Sequence, residues 1–189
     1  MLILGSYGFS YTQNRLKIGE ILENNFGKLL IIPLACGFEK ETGEKEKNCA
    51  VLLGFKKENI TVFDEEHPEE TLSQNFDHIA VLGGNTFKLL YKTRKYRLDE
   101  FIKKQVENGA DYLGFSAGAY LACPDIEYVK NFDDNEHITD DYFAALGLTD
   151  KYVLCHYDLR GPEEIKMCRQ FIGDAPELIT ITNEQLVVL

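Results

Sequence analysis

The sequence predicts an α/β fold with a doubly wound, mostly parallel sheet that carries helices on both faces. Short runs that are apolar throughout alternate along the chain with stretches that have the spacing of amphipathic helices. Strands that are apolar throughout are typical of parallel sheets that helices cover on both sides. Glycine-rich turns follow two of these runs, and in such sheets the ligand site lies beyond the carboxyl ends of the strands.

Four strands are predicted in the first half of the chain from short apolar runs at residues 1–5, 28–35, 60–63 and 78–82. Residues 42–54 have one charged and one apolar face, which predicts a helix. A second helix is predicted over residues 68–74, because Pro68 suits the first position of a helix.

The second half of the chain continues the alternation. Helices are predicted over residues 87–92 and 99–108, the second ending before Gly109. A strand over residues 112–115 leads into a run of small residues that can open a helix. The remaining predictions are strands at 127–129 and 152–155, a polar loop at 130–141, a helix at 162–172 and a terminal hairpin of residues 178–182 and 185–189.

Length and composition indicate one folded domain over residues 1–189. Apolar residues make up 44% of the chain, with 12 Phe and 10 Tyr, which is the composition of a globular protein. The formal charge of −11 argues against nucleic acid and anionic membranes as partners, because both are bound through Lys and Arg. No apolar run approaches the roughly 20 residues of a membrane span, and the first residues lack the basic start of a signal peptide.

The five cysteines indicate a reducing compartment. Their number is odd and none form a C-x-x-C pair, so neither a disulfide framework nor a zinc site is expected. Free thiols are usual in the cytoplasm, where we expect the protein. We expect no metal and no cofactor.

The residues at 114–118, Gly-Phe-Ser-Ala-Gly, have the G-x-S-x-G pattern of a nucleophile elbow. A sharp turn between a strand and a helix exposes the hydroxyl of Ser116 and places it at a helix N-terminus. The N–H groups there favour a developing oxyanion, so the pattern suits acyl transfer. The alternative is an ordinary strand–turn–helix that contains a serine.

A serine nucleophile needs a base, and His156 is the best placed of the four histidines. It follows the apolar run at 152–155, so it leaves the carboxyl end of a strand on the same edge as Ser116. His67 and His137 lie in polar segments, and His78 begins a strand. The third member of a triad stays open among Asp133, Asp134, Asp158 and Glu184.

The second glycine-rich turn, residues 83–86, also follows a strand and precedes a helix. Its glycines can present backbone N–H groups to an oxyanion. The alternative is a tight turn in which Asn85 or Thr86 caps the next helix, and both interpretations can hold together.

Three segments together resemble the peptidase E family of serine peptidases, which includes aspartyl dipeptidases and cyanophycinases. The segments are residues 82–90 (LGGNTFKLL), 114–119 (GFSAGA) and 155–157 (CHY), and the resemblance runs over essentially the whole chain. It implies the doubly wound α/β sandwich of class I glutamine amidotransferases.

The resemblance also implies the roles of the site residues. Ser116 would be the nucleophile and His156 the general base, with an oxyanion hole from the N–H groups of Gly84 and Ala117. Asn85 and Thr86 would line the substrate pocket. The family's third member is a glutamate near the C-terminus, for which Glu184 is the nearest match. A shift of one residue would put Asn183 there, and Asp134 is the backup acid.

The activity implied is that of a metal-independent serine dipeptidase or exopeptidase acting on a short peptide substrate. In aspartyl dipeptidases, which hydrolyse Asp-X dipeptides, an arginine after the histidine holds the substrate carboxylate; Arg169 is near that place and Arg160 is the alternative. A weak or inactive family member that binds a small molecule or peptide is the second hypothesis. A homodimer is compatible with the sequence.

Overall fold

A computed structural model describes residues 1–23, 25–135, 137–138, 142–173 and 177–189. The strands are β1 (Leu2–Gly5), β2 (Leu29–Ile32), β3 (Ile60–Val62), β4 (His78–Val81), β5 (Asp111–Phe115), β6 (Tyr152–Cys155), β7 (Leu178–Ile181) and β8 (Leu186–Val188). The helices are α1 (Thr12–Ile21), α2 (Glu39–Leu53), α3 (Pro68–Leu72), α4 (Thr86–Lys95), α5 (Leu98–Glu107), α6 (Ala117–Leu121) and α7 (Pro162–Ile172).

Six strands form the main sheet in the order β3-β2-β4-β5-β1-β8. The first five strands in this order are mutually parallel, and β8 pairs antiparallel with β1 at the edge. This mostly parallel sheet confirms the predicted fold class. The carboxyl ends of β1, β4 and β5 therefore lie on one edge, where the loops after them meet.

Helices cover both faces of this sheet, and each face has its own apolar core. On one face the side chains of alternate strand residues, such as Leu4 and Val81, pack against α4, α5 and α6. On the other face Ile3 and Ile31 pack against α1 and α2. Burial of each such side chain contributes about 1.5–3 kcal/mol, so both helical layers stabilise the sheet edge that carries the site.

A second, two-stranded parallel sheet pairs β6 with β7, in the register Tyr152 to Leu178 and Cys155 to Ile181. Tyr128 contacts this sheet, because its buried hydroxyl donates a hydrogen bond to the carbonyl of Val153 in β6 (2.7 Å). The residues that follow its two strands, His156 and Thr182–Asn183, leave it side by side because parallel strands end at the same edge.

Two element predictions were wrong. Residues Glu127–Val129 form a 3-10 turn, which begins where the Asp125 carboxylate accepts the N–H of Glu127. The terminal hairpin does not form, because β7 pairs with β6 and β8 pairs with β1. Tyr128 and Val129 are buried in the turn without strand pairing, while β7 and β8 each pair with a strand that is distant in the sequence.

Helix α1 was not predicted, because its sequence has a weak apolar face. Its buried positions are Asn14, Ile18 and Gly19, of which only one is a large apolar residue. The predicted loop at residues 130–141 falls partly outside the described residues, and residues 131–135 are irregular.

Candidate active site

Ser116 stands at the sharp turn between β5 and α6. Its backbone has φ 53° and ψ −113°, a conformation that costs a non-glycine residue about 1–3 kcal/mol. Its N–H donates to the carbonyl of Gly5 at the end of β1 (2.8 Å), which ties the turn to the sheet. A β-carbon at Gly118 would lie 2.1 Å from the carbonyl oxygen of Val81, so only glycine allows α6 to start this close to β4. The side chain of Ser116 is partly exposed.

His156 directly follows β6 and is bonded to Ser116. The distance from His156 Nε2 to Ser116 Oγ is 3.1 Å. His156 also has left-handed backbone, with φ 57° and ψ 33°, which turns its ring away from the β6 strand. The Tyr7 ring meets the imidazole edge to face, with ring centroids 5.1 Å apart. The structure therefore brings together the two side chains that the sequence singled out as nucleophile and base.

Ser6 connects the ends of three strands around His156 and was not predicted as a site residue from the sequence. Its buried hydroxyl oxygen accepts the N–H of His156 (2.9 Å), and its hydrogen faces the carbonyls of Ile181 and Thr182 (3.2 Å each). The available signal was its position directly after the first apolar strand. Ser6 fixes the His156 backbone relative to β1 and β7.

Asn183, and not Glu184, is the residue bonded to the other nitrogen of the imidazole. Asn183 Oδ1 lies 2.7 Å from His156 Nδ1. Glu184 is exposed and its carboxylate lies beside the hydroxyl of Tyr11, whose pKa is raised by loss of hydration and then by Glu184. The prediction for Glu184 is therefore corrected, because the turn after β7 aims the side chain one residue earlier at the histidine.

Asp158 accepts hydrogen bonds from the backbone N–H and from the side-chain amide of Asn183. Its Oδ1 accepts the Asn183 backbone N–H and its Oδ2 accepts Asn183 Nδ2, at 3.0 Å each. With Nδ2 engaged in this way, Asn183 Oδ1 faces the imidazole and can only accept. The tautomer that fits this acceptor has its hydrogen on Nδ1, which leaves Nε2 as an acceptor facing the Ser116 hydroxyl.

The Gly83–Gly84 turn lies against Ser116. A β-carbon at Gly83 would be 2.9 Å from the Ser116 Cβ. Gly84 has φ +130°, and a β-carbon there would be 2.1 Å from the carbonyl oxygen of Ala35. The N–H of Gly84 and the N–H of Ala117, which is the first residue of α6, therefore both belong to chain segments next to Ser116.

Asn85 and Thr86 serve the fold through their side chains. Asn85 Oδ1 accepts the N–H of Lys88 and so caps α4 (2.8 Å), while Nδ2 donates to the carbonyl of Asp134 (2.8 Å). Thr86 is 1% exposed, and both its hydroxyl and its N–H donate to Asp133 Oδ2, at 2.6 and 2.8 Å. The prediction that Thr86 contacts substrate is corrected, because its side chain is buried against Asp133.

Asp134 does not take the position of the third member. Its backbone carbonyl accepts a hydrogen bond from Asn85 at the start of α4. The hydrogen-bond partner of the His156 Nδ1 atom is Asn183.

The two candidate arginines differ in placement. Arg169 is exposed on α7. Arg160 is partly buried, stacks 3.8 Å above the Phe132 ring and donates through Nε to the carbonyl of Cys155 (3.4 Å). Of the two, Arg160 is the one bonded to the backbone that precedes His156.

The neighbouring thiol of Cys155 does not compete with the serine. Burial raises its pKa to about 12, so it is neutral at physiological pH. Among the described residues, no group of three or more His, Cys, Asp or Glu side chains is arranged to hold a metal ion. Within the same part of the chain, every helix is too short or too polar to span a bilayer.

Comparisons with known proteins identify the family of the chain. A family model described as peptidase family S51 matches residues 1–189. An uncharacterized peptidase of Listeria monocytogenes is 31% identical over 178 residues, which cover 90% of this chain and 86% of that protein. A peptidase E of a Nostoc species is 30% identical over 145 residues, which cover 76% of this chain and 57% of that protein.

Two solved structures share the fold of this chain. A crystal structure from Listeria monocytogenes, named as a candidate peptidase E, matches with a TM-score of 0.77 and 26% identity over 100% of this chain and 93% of that chain. A peptidase from an acI-B1 actinobacterium shares the fold, with a TM-score of 0.66 and 16% identity over 98% of this chain and 81% of that chain. Because the family model spans every residue from 1 to 189, the chain belongs to peptidase family S51.

Proposed function

We propose that the chain is a serine-type peptidase that hydrolyses short peptides through an acyl-enzyme on Ser116. The observation that carries this proposal is the 3.1 Å contact between Ser116 Oγ and His156 Nε2 at a strained, partly exposed turn. A serine hydroxyl becomes a useful nucleophile only when a base within hydrogen-bond reach can take its proton. Membership of a peptidase family supports the same assignment.

The reaction follows from this arrangement in two halves. In the first, His156 Nε2 takes the hydroxyl proton while Ser116 Oγ bonds to the peptide carbonyl carbon. The oxyanion that forms accepts hydrogen bonds from the N–H groups of Gly84 and Ala117. His156 then protonates the leaving amine, and the C–N bond breaks to leave the acyl-enzyme.

In the second half, water replaces the amine. His156 takes a proton from the water as its oxygen attacks the ester carbonyl, and then returns the proton to Ser116 as the acid product leaves. His156 accepts and donates the proton in every step of this reaction. The mechanism that we propose is therefore metal-independent, because no step calls for a metal ion.

Asp-X dipeptides are the substrate class to test first. A guanidinium fork suits a carboxylate, and Arg160 lies beside the His156 backbone. Arg169 is the alternative, from the exposed surface of α7. Lower turnover of Asp-X by Arg160→Lys than by Arg169→Lys would assign the carboxylate contact to Arg160.

The test is hydrolysis of a dipeptide panel that contains Asp-X, X-Asp and uncharged members, followed by mass spectrometry. We expect the wild-type chain to release free amino acids, and Ser116→Ala to lower kcat by about 10⁴-fold or more with an unchanged thermal midpoint. Equal turnover by Ser116→Ala would contradict the proposal. Binding of dipeptides by calorimetry without any turnover would instead support the second hypothesis, a family member that binds peptides.

A further inference from the structure

We propose that Asp158 is a positioning residue for this reaction, holding the Asn183 amide in the one orientation that makes His156 a base. The proposal rests on the proposed function and adds to it. Asp158 does not touch Ser116 or the reacting imidazole nitrogen; it acts through Asn183, which lies between the carboxylate and the ring.

The Asp158 carboxylate accepts two hydrogen bonds from Asn183. Both oxygens of Asp158 are 3.0 Å from donors of Asn183, one on the backbone and one on the side chain. A carboxylate only accepts, so both donors are matched. These paired bonds fix the Asn183 side chain relative to its own backbone.

An asparagine amide has two orientations that differ by a half-turn and have nearly the same shape. In the observed one, Nδ2 faces Asp158 and Oδ1 faces His156 Nδ1 (2.7 Å). A half-turn would place Oδ1 against the carboxylate, where two acceptors repel, and Nδ2 against His156 Nδ1. The imidazole would then carry its proton on Nε2 and could not accept one from Ser116.

Asp158 also supplies the negative charge that Asn183 lacks. When His156 is protonated during the reaction, a neutral amide stabilises the cation less than a carboxylate would. Asp158 polarises the amide and adds its charge one side chain further out. Because Asp158 is exposed, this electrostatic part is weakened by salt.

Other titratable groups surround the imidazole and must be held constant in a test. Tyr7 contacts the ring, and Arg160 is bonded to the Cys155 carbonyl behind it. Tyr11 and Glu184 form the outer part of the same charged region, since Glu184, Tyr7 and Asp158 all contribute to the raised pKa of Tyr11. None of these side chains is altered in the variants below.

The first experiment compares the pH dependence of kcat/KM in wild type and Asp158→Asn. The amide that replaces the carboxylate has one acceptor oxygen in place of two, so one of the two bonds from Asn183 is lost and the orientation of Asn183 is less well fixed. We expect kcat/KM to fall about tenfold and the pKa of His156, read from the acid limb, to fall with it. Asp150→Asn makes the same charge change on the exposed loop before β6 and should alter neither quantity.

The second experiment exchanges the two side chains. Asn183→Asp alone sets two carboxylates against each other, and we expect it to destabilise the turn. Asp158→Asn combined with Asn183→Asp restores the pairing, because the new amide at position 158 can donate to the new carboxylate at position 183. That carboxylate also accepts the Nδ1–H of His156. We expect the double variant to have at least the wild-type kcat/KM and a raised pKa of His156.

A purely structural role for Asp158 would lower the thermal midpoint without moving the pKa of His156, and that result would overturn the proposal. So would kcat/KM of Asp158→Asn within twofold of wild type. The pKa is also measured by NMR titration of the imidazole, which needs no turnover. A lower pKa of His156 in Asp158→Asn therefore supports the positioning role even if the dipeptide assay fails.

Discussion

At the residue scale, the two residues that we propose to react hold backbone conformations that side chains disfavour. Ser116 and His156 have φ of 53° and 57°, and among the described non-glycine residues only Glu23 and Arg97 share this sign. Each conformation turns the chain sharply as it leaves a strand, so that the side chain projects beyond the sheet edge. Such strain persists only where surrounding contacts impose it, here the hydrogen bonds to Gly5 and Ser6.

Asn183→Ala tests the proposal that Asn183 orients His156 as the base. Removal of Oδ1 leaves the Nδ1–H of His156 without its acceptor, so the ring and its tautomer are no longer fixed. We expect kcat to fall by about 10² to 10⁴-fold, the upper value being that of a triad whose histidine takes the wrong tautomer. Steady-state kinetics would measure it, with Asn48→Ala on the exposed side of α2 as control; a loss below threefold would argue against this role.

The sequence predicts Ser116 and His156 but not their orienting partner. The elbow pattern and the position of His156 after a strand are local signals, and both concern residues that leave parallel strands at one edge. The choice between Asn183 and Glu184 depends on how the turn after β7 is rotated. That rotation is set by Asp158 and Ser6, which are distant in sequence, so no local pattern reveals it.

At the scale of elements, the site depends on two contacts between segments that are distant in the sequence. Glycine at position 118 lets α6 begin against β4, and the buried hydroxyl of Ser6 joins the ends of β1, β6 and β7. The strands themselves are predictable from apolar runs, and all the strands of the main sheet were. The pairing of the strands is harder to predict than the strands themselves. The sequence of β7 and β8 is typical of a hairpin, but β7 pairs with β6 and β8 pairs with β1.

Gly118→Ala should separate α6 from β4. The added β-carbon would meet the carbonyl oxygen of Val81 at 2.1 Å, and neither backbone segment can yield cheaply. We expect a loss of about 3 kcal/mol or more in the free energy of unfolding, measured by urea denaturation. The control is Gly161→Ala, where the nearest atom is 3.6 Å away and the cost should be below about 1 kcal/mol. Equal stabilities of the two variants would refute the packing argument.

Ser6→Ala should weaken both the fold and the site. The partly buried N–H of His156 loses its acceptor, which costs about 1–3 kcal/mol. Since that bond also holds the histidine backbone, kcat should fall together with the thermal midpoint. Ser73→Ala, on the exposed end of α3, should change stability by less than about 0.5 kcal/mol. A Ser6→Ala chain with wild-type stability and kcat would show that the three strand ends are held by other contacts.

At the scale of the whole molecule, buried thiols couple the folded state to pH. Burial raises the pKa of Cys123 and of Cys168 to about 11 and that of Cys155 to about 12, from about 9. A thiol that stays neutral in the folded chain but ionises in the unfolded chain favours unfolding. The stabilisation is complete below pH 9 and is lost as the pH rises through these folded-state values.

Alkaline titration should therefore destabilise the chain from about pH 9 upward. We expect the free energy of unfolding to fall by up to about 1.4 kcal/mol per pH unit for each of the three buried thiols. Urea unfolding at pH 7, 9 and 10 measures this slope. Cys123→Ala should reduce the slope by one thiol's share, while Cys36→Ala, at a partly exposed position, serves as the control. A stability that stays constant to pH 11 would contradict the assignment of neutral buried thiols.

The most direct test of the account is covalent labelling of the nucleophile. The chain is treated at neutral pH with an organophosphonate that reacts with activated serine hydroxyls, and the adduct is located by mass spectrometry. We predict one adduct on Ser116 in the wild-type chain, and a rate of labelling at least 100-fold lower in a folded His156→Gln variant. Absence of an adduct on Ser116, or labelling that is equally fast without His156, would contradict the claim that this serine is activated by this histidine.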